Sequence, residues 1–136
     1  MTVEEMGVLI ATQMRQQGLR KKKLTWYKNQ EDVTIVFNIQ KSQYSNDIWY
    51  YNYGIGINDF YPKQITDIQK CDICYRFEQA LNHQIITADD LVRILQIWVD
   101  QYGSLEKLIS QAHKGKLPTM TTKKCLEYLL NRYRNK

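Results

Sequence analysis

The sequence predicts an α+β fold: an N-terminal helix, an antiparallel sheet of three to four strands, and C-terminal helices packed on one face of that sheet. Apolar residues recur at helical spacing over residues 3–14 and again after residue 87, whereas apolar and polar residues alternate between residues 24 and 58. Strands grouped early and helices grouped late are typical of this class. The length of 136 residues suits a single domain over residues 1–136.

The first helix has clear signals at both ends. Thr2 and Glu5 form a capping-box pattern, in which the Thr oxygen accepts a free N–H and the Glu side chain returns the bond. Met6 and Ile10 continue an apolar stripe along one helix face. Gly18 ends the helix, because glycine readily adopts the left-handed conformation that follows a last turn.

The strands are predicted over residues 24–28, 33–40, 48–57 and 71–77. In the third, one face is expected to be core, and it carries Trp49, Tyr51, Tyr53, Ile55 and Ile57. Tyr50 and Asn52 then face outward. Gly54 and Gly56 share their face and predict a bulge or a close approach by another backbone.

Three helices are predicted in the C-terminal half. Thr87 caps a helix that runs to about Gln101, and Ser104 caps a shorter one over residues 105–113. Thr121 or Thr122 opens the last helix. No internal repeat interrupts this order.

The net charge of +5 is unevenly distributed. Residues 1–30 carry +4, residues 31–110 carry −5 and residues 111–136 carry +6. A nucleic-acid-binding function would use Arg20–Lys23 and Lys28 together with the C-terminal residues Lys123, Lys124, Arg132 and Arg134, which form one basic patch if the two ends meet.

Several classes of protein and site are disfavoured. No apolar run approaches the roughly 18 residues of a membrane span, and the acidic N-terminus is wrong for a secretory signal. Three cysteines do not make a disulfide framework, so we expect a reducing cytoplasm. Cys71 and Cys74, three apart on a predicted strand, would point to opposite faces, so no metal or cofactor site is expected.

No nucleophile, phosphate-loop or dinucleotide motif is present, and the two histidines, His83 and His113, stand far apart in the sequence. The chain is therefore not expected to be an enzyme. A pocket that joined Asn38, Gln40 and Asn52 with Lys41 would reverse that expectation.

The aromatic strands beside a lysine run are the most unusual feature. Aromatic side chains with neighbouring cations can stack the bases of a single strand, or form a protein interface. The candidate partner-binding residues are Arg20, Lys21, Lys22, Lys23, Gln40, Lys41, Tyr50 and Asn52.

Short motifs give the chain a family resemblance. The segments that carry it are Gly18-Leu19-Arg20-Lys21-Lys22-Lys23, Thr25-Trp26-Tyr27, Val36-Phe37-Asn38-Ile39-Gln40-Lys41-Ser42, Asn52-Tyr53-Gly54-Ile55, Cys71–Phe77 with Arg76, and Tyr102-Gly103. Together they resemble the bacterial domain of unknown function 4304 family. Leu19 and Ile39 replace the usual Phe and Leu. The resemblance implies no catalytic residues.

Two functions follow from these observations. We expect a non-catalytic protein-binding module of a bacterial cytoplasmic protein, with a toxin-immunity protein as one form of it by analogy with other small bacterial domains. Because the chain is basic, a basic nuclease is a poor target unless the acidic stretch from Asp59 to Asp100 makes the interface. The alternative is a nucleic-acid-binding protein that uses the basic terminal segments and the sheet aromatics.

Overall fold

The computed structural model describes residues 2–44, 48–80 and 86–133, and their side chains except those of residues 77–80 and 133. The helices are α1 (Val3–Gln16), α2 (Ala88–Tyr102), α3 (Leu105–His113) and α4 (Lys123–Tyr133). The strands are β1 (Arg20–Lys22), β2 (Thr25–Asn29), β3 (Val33–Lys41), β4 (Ile48–Ile57), β5 (Ile73–Ala80) and β6 (Met120–Thr121). The α+β class is confirmed.

The strands form one antiparallel sheet in the order β1-β2-β3-β4-β5-β6. The predicted count of three to four strands is wrong, since the sheet has six. The two missed strands are its edges: β1 has three residues and β6 has two, too few to display an alternating pattern. Lys23, with a φ of 57°, makes the tight turn that joins β1 to β2.

One sheet face is the core, as the alternation in β4 predicts. Trp26, Phe37, Tyr51 and Tyr53 are at most 1% exposed there and pack ring against ring, with the Phe37 and Tyr53 centroids 4.9 Å apart. Helices α1 and α2 cover this face, α3 packs on α2, and α4 packs on α3. A single apolar core therefore lies between the sheet and the helices.

The predicted helix ends are confirmed. Thr2 and Thr87 each make a complete capping box, and the Ser104 side chain accepts the backbone N–H of Lys107. Gly18 follows α1 with a φ of 87°, in the left-handed region. The Thr122 hydroxyl accepts the backbone N–H of Cys125 at the start of α4.

The opposite face of the sheet, here called the second face, is only partly covered. The segment of residues 58–72 folds back over it, where Ile65 is buried and Ile68 is half-buried beside the glycines of β4. A Cβ on Gly54 would lie 2.7 Å from the Cys71 Sγ, and one on Gly56 would lie 3.3 Å from the Lys70 carbonyl oxygen. A backbone atom approaches only Gly56, through the Lys70 carbonyl oxygen, whereas the atoms closest to Gly54 belong to the side chains of Ile68 and Cys71.

In the parts of the chain that the structure describes, no helix has the length and apolar character needed to cross a membrane.

Candidate binding site

A row of polar side chains crosses the uncovered part of the second face. The strand registers pair Lys22 with Thr25, Thr25 with Asn38, Asn38 with Asn52, and Asn52 with Arg76. These five residues therefore lie side by side on five neighbouring strands, perpendicular to the chain direction. At about 4.8 Å per strand the row is roughly 19 Å long.

Side-chain hydrogen bonds tie most of this row together. The Asn38 Nδ2 donates to the Thr25 Oγ1 at 2.9 Å, and the Asn52 Nδ2 donates to the Asn38 Oδ1 at 3.0 Å. The Arg76 Nε then donates to the Asn52 Oδ1 at 2.7 Å. Asn52 is only 3% exposed, and these bonds satisfy it where water cannot.

Gln40 and Tyr50 fix the Arg76 guanidinium from two further directions. The Gln40 Oε1 accepts from Arg76 Nη2 at 2.9 Å and from Asn52 Nδ2 at 3.1 Å. The guanidinium carbon lies 4.9 Å from the centre of the Tyr50 ring, a cation–π contact. We call Asn38, Gln40, Asn52 and Arg76 the amide–arginine cluster.

The guanidinium keeps capacity for a ligand. It has five N–H donors, and the two bonds to Asn52 and Gln40 use one each. Arg76 is exposed and belongs to none of the ion pairs found within the described residues. A cation that is oriented but has no carboxylate partner is suited to bind a carboxylate or another planar anion.

Two concavities meet at Arg76. The first, of about 380 Å³, is the amide pocket; it lies over the cluster and is also lined by Ile68, Gln69, Cys74 and Met120. The second, of about 530 Å³, is the apolar groove; it runs between β5, α2 and residues 118–120 and is lined mainly by Tyr75, Ile94, Ile97, Trp98, Tyr102, Pro118 and Met120. Arg76 lines both, so a polar anchor adjoins an apolar surface.

Lys41 is not part of the amide pocket. It follows Gln40 on β3 and therefore points to the other side of the sheet. Its Nζ lies 2.7 Å from the Glu4 Oε1, and this bond lowers the pKa of the Glu4 carboxyl. The amide pocket therefore joins Asn38, Gln40 and Asn52 with the cation of Arg76, and the combination with Lys41 that would have reversed the non-enzyme expectation does not occur.

The lysine run forms an exposed edge strand. Arg20 and Lys22 lie opposite Tyr27 and Thr25, on the second face, whereas Lys21 lies opposite Trp26 with its Nζ 5.6 Å from the ring centre. Lys23 occupies the turn. Of the run, only Lys22 belongs to the row that ends at Arg76.

The two basic ends of the chain do not meet in the described part of the fold. β1 is one edge of the sheet and β6, which leads into α4, is the other, roughly 24 Å away across five strand spacings. Lys124 lies 4.2 Å from the Phe60 ring centre, and the Arg132 Nη2 lies 3.5 Å from the Asp59 Oδ2. Arg134 lies outside the described residues.

The cysteines form no disulfide, and burial raises the pKa of each thiol: that of Cys125 to about 12, that of Cys71 well above its usual value, and that of Cys74 above its usual value. Protonated thiols are poor nucleophiles and poor metal ligands. The strand begins at Ile73, so the argument that Cys71 and Cys74 point to opposite strand faces does not apply. Cys71 lies beside Gly54, the residue paired with Cys74.

Among the side chains that the structure describes, acid–base groups are sparse around the cluster. Asp72 is buried, which raises the pKa of its carboxyl, and it accepts the backbone N–H of Ile57 at 3.1 Å. His113 ends α3, and His83 lies outside the described residues. Across residues 2–44, 48–80 and 86–133, no group of three or more His, Cys, Asp or Glu side chains is arranged to hold a metal ion.

Three members of the cluster lie among the residues that the sequence singles out for a pocket, and the fourth, Arg76, does not. The alternation of strand side chains allows Asn38, Gln40 and Asn52 to share a sheet face. Arg76 was noted only as a motif residue. Its place depends on the register between β4 and β5, which no pattern within either strand determines.

The fold and the site define a small α+β domain with a preorganised polar surface on an uncovered part of its sheet. The model of the domain of unknown function DUF4304 matches residues 10–117, most of the chain, and the chain belongs to this family. No curated protein and no solved structure matches it.

Proposed function

We propose that this chain is a non-catalytic module that binds another protein, and that the contact centres on the amide–arginine cluster. The observation that carries the proposal is the orientation of Arg76. Its guanidinium is held by Asn52, Gln40 and the Tyr50 ring, yet it retains unused donors at the surface.

Preorganisation makes such a site effective. An arginine that is already ordered loses little rotamer entropy when it binds, so more of the interaction energy appears as affinity. Arginine and tyrosine are also the residues most enriched among those that dominate protein interfaces. The apolar groove next to Arg76 offers the hydrophobic contact area that a polar anchor alone lacks.

The composition of the cluster favours binding over catalysis. Three neutral amides and a guanidinium neither accept nor release a proton near neutral pH. The thiol nearest to it, Cys74, has a pKa raised by burial. The cluster therefore supplies hydrogen bonds and charge, and we propose no reaction for it.

The placement of the basic residues favours a protein over a nucleic acid. A nucleic-acid interface gains most of its affinity from cations that follow the phosphate backbone. Here the two basic segments lie at opposite sheet edges, and Lys124 and Arg132 contact Phe60 and Asp59.

Affinity capture with a matched arginine control tests this function. The full chain is immobilised as wild type, Arg76→Gln and Arg93→Gln, and exposed to lysate of the source organism with and without nuclease. Arg93 is exposed on α2 and pairs with Asp90 three residues earlier, so its variant controls for loss of one positive charge.

We expect one protein to be captured by wild type and Arg93→Gln, with or without nuclease, and to be lost from Arg76→Gln. The purified partner should then bind wild type at least about tenfold more tightly than Arg76→Gln, the equivalent of one charged hydrogen bond. Capture abolished by nuclease would instead support the nucleic-acid alternative. Capture of nothing would refute the proposal.

We further propose the bacterial cytoplasm as the compartment and a toxin as the partner. Three free thiols suit a reducing compartment, and the toxin is an inference from other small bacterial domains alone. If it is correct, co-expression of the wild-type chain, but not of Arg76→Gln, restores growth to cells that produce the captured partner. A partner that does not impair growth would rule the toxin out.

A further inference from the structure

β5 has an outer edge that is paired over only part of its length. The strand covers Ile73–Ala80, but β6 pairs only with Ile73 and Cys74. No other strand of the described chain adjoins β5 on that side. In the described part of the chain, the outward backbone groups of β5 after Tyr75 therefore present an edge that can accept another strand.

Pro118 explains why β6 ends where it does. Met120 pairs with Cys74, so the same register would place Pro118 opposite Arg76. Proline has no N–H to donate, so it cannot continue the ladder. Residues 118–120 and Tyr75 both line the apolar groove. The groove lies where residues 118–120 and β5 are no longer paired.

The hydrogen-bonding direction of the edge follows from one bond. The Thr122 N–H donates to the Asp72 carbonyl at 2.9 Å, and in the register that this bond sets, Cys74 pairs with Met120 and directs its backbone groups toward β6. The Asp72 N–H itself donates to the Ile55 carbonyl on β4, so Asp72 lies outside the regular strand. Because bonding sides alternate along a strand, Cys74, Arg76 and Glu78 direct their backbone groups to the same side. Arg76 and Glu78 thus offer backbone groups to an incoming chain.

The two surfaces beside this edge differ in chemistry. A residue paired with Arg76 would project onto the second face and become the next member of the polar row, where a carboxylate would meet the unused guanidinium donors. A residue paired with Tyr75 would project to the helix side, into the apolar groove. Tyr75 and Ile97 are 49% and 52% exposed there.

We propose that an extended segment of a partner protein, with an acidic residue between two apolar ones, adds as a strand to the free edge of β5. This inference rests on the proposed function for the existence of a protein partner, and it adds the binding mode and the chemistry of the segment. Backbone hydrogen bonds supply affinity, while Arg76 and the groove select the side chains.

A peptide library tests the proposal without knowledge of the partner. A phage-displayed library of random 12-residue peptides is selected on the full chain, and enriched peptides are measured against Glu78→Pro and Glu78→Ala. Proline removes the outward Glu78 N–H and is tolerated at a strand edge. The alanine variant keeps that N–H and controls for loss of the side chain.

We expect enriched peptides that alternate apolar and acidic residues. Glu78→Pro should weaken them about tenfold or more, the effect of one lost hydrogen bond, whereas Glu78→Ala should stay within about twofold. Exchange of the peptide's acid for its amide should weaken binding to wild type but not to Arg76→Gln. If Glu78→Pro does not fold, a peptide N-methylated at its bonding amides replaces it and should lose affinity on the wild-type chain.

Three results would overturn strand addition: no enrichment, enriched peptides without the acid, or affinity that neither Glu78→Pro nor N-methylation changes. Its failure is separable from that of the proposed function. Capture of a protein that depends on Arg76 but is indifferent to Glu78→Pro would leave the binding function standing and remove this mode. Loss of all protein capture would remove the function itself.

Discussion

Asn52 shows how a single side chain organises the candidate site. It is 3% exposed, donates to Asn38 and Gln40, and accepts from Arg76. Its outward orientation was predictable from strand alternation, but its burial was not, because the neighbouring strands and the Arg76 side chain provide the cover.

Asn52→Ala should lower the free energy of unfolding by about 1–3 kcal/mol, since the Asn38 Oδ1 loses its donor and the Arg76 Nε loses its acceptor. Asn131→Ala is the matched control: Asn131 is exposed on α4, and its change should be within about 0.5 kcal/mol. Urea unfolding monitored by tryptophan fluorescence measures both. Equal effects of the two substitutions would contradict the role given to Asn52.

Tyr53 gives the fold a defined alkaline limit. Its hydroxyl donates to the Leu91 carbonyl at 2.7 Å, and burial raises its pKa far above the ordinary value. The unfolded chain releases this proton from about pH 10 upward while the folded chain retains it. The stability contributed by Tyr53 is therefore complete below pH 10 and declines as the pH rises beyond it.

Tyr53→Phe should cost about 1 kcal/mol at pH 7, the value of one hydrogen bond. The difference from wild type should shrink above pH 10. There the unfolded wild-type chain is stabilised by ionisation of Tyr53, and the Tyr53→Phe chain has no phenol to ionise. Urea titrations at pH 7 and pH 11 measure this difference. A difference in the free energy of unfolding between wild type and Tyr53→Phe that is larger at pH 11 than at pH 7 would contradict this prediction.

At the scale of elements, local patterns predicted the helices better than the sheet. Thr87 and Ser104 mark helix starts that depend only on residues within one turn. β6 depends instead on a chain segment that returns from 46 residues away, where Met120 pairs with Cys74. A strand this short is too brief to display the alternation of apolar and polar residues that predicts a strand. It forms only because the tertiary fold brings the two segments together.

The covering segment of residues 58–72 depends on the small size of Gly54. An added Cβ would lie 2.6 Å from the Ile68 Cδ1 and 2.7 Å from the Cys71 Sγ. Gly54→Ala should therefore cost about 1–3 kcal/mol and loosen this segment. Hydrogen exchange of the Cys71 amide, whose N–H donates to the Ile68 carbonyl, reports on the loosening.

Gly7→Ala is the control for this substitution. Gly7 lies within α1, where alanine gains up to about 1 kcal/mol over glycine, and the closest contact is the end of the Leu24 side chain at 3.1 Å. It should be neutral or stabilising and leave the Cys71 amide unchanged. A Gly54→Ala protein as stable as wild type would mean that the segment does not pack as described.

At the scale of the whole molecule, the sheet separates charge that the sequence places at both ends of the chain. β1 carries one basic segment and the β6–α4 end the other, so the sum of +5 does not act at one surface. Linear charge counts could not predict this, because strand order decides where the ends lie. The uncovered polar row lies between those two edges.

This separation predicts a shallow salt dependence of partner binding. One anchoring arginine gives far fewer released counterions than the six to ten phosphate contacts that change affinity about 10³–10⁵-fold. Between 50 and 200 mM salt, affinity for the captured partner should fall less than about tenfold. Calorimetric titration at the two salt concentrations measures this change in affinity. A fall of a thousandfold or more would indicate that the partner is a polyanion.

The most direct test of the binding surface is a residue-by-residue footprint of the captured partner. Backbone amide NMR shifts of the full chain are recorded with and without the partner. The changes should centre on Gln40, Tyr50, Asn52 and Arg76, and leave the exposed sides of α1 and α3 unaffected. Changes confined to those helices, with the amide–arginine cluster unaltered, would contradict the account.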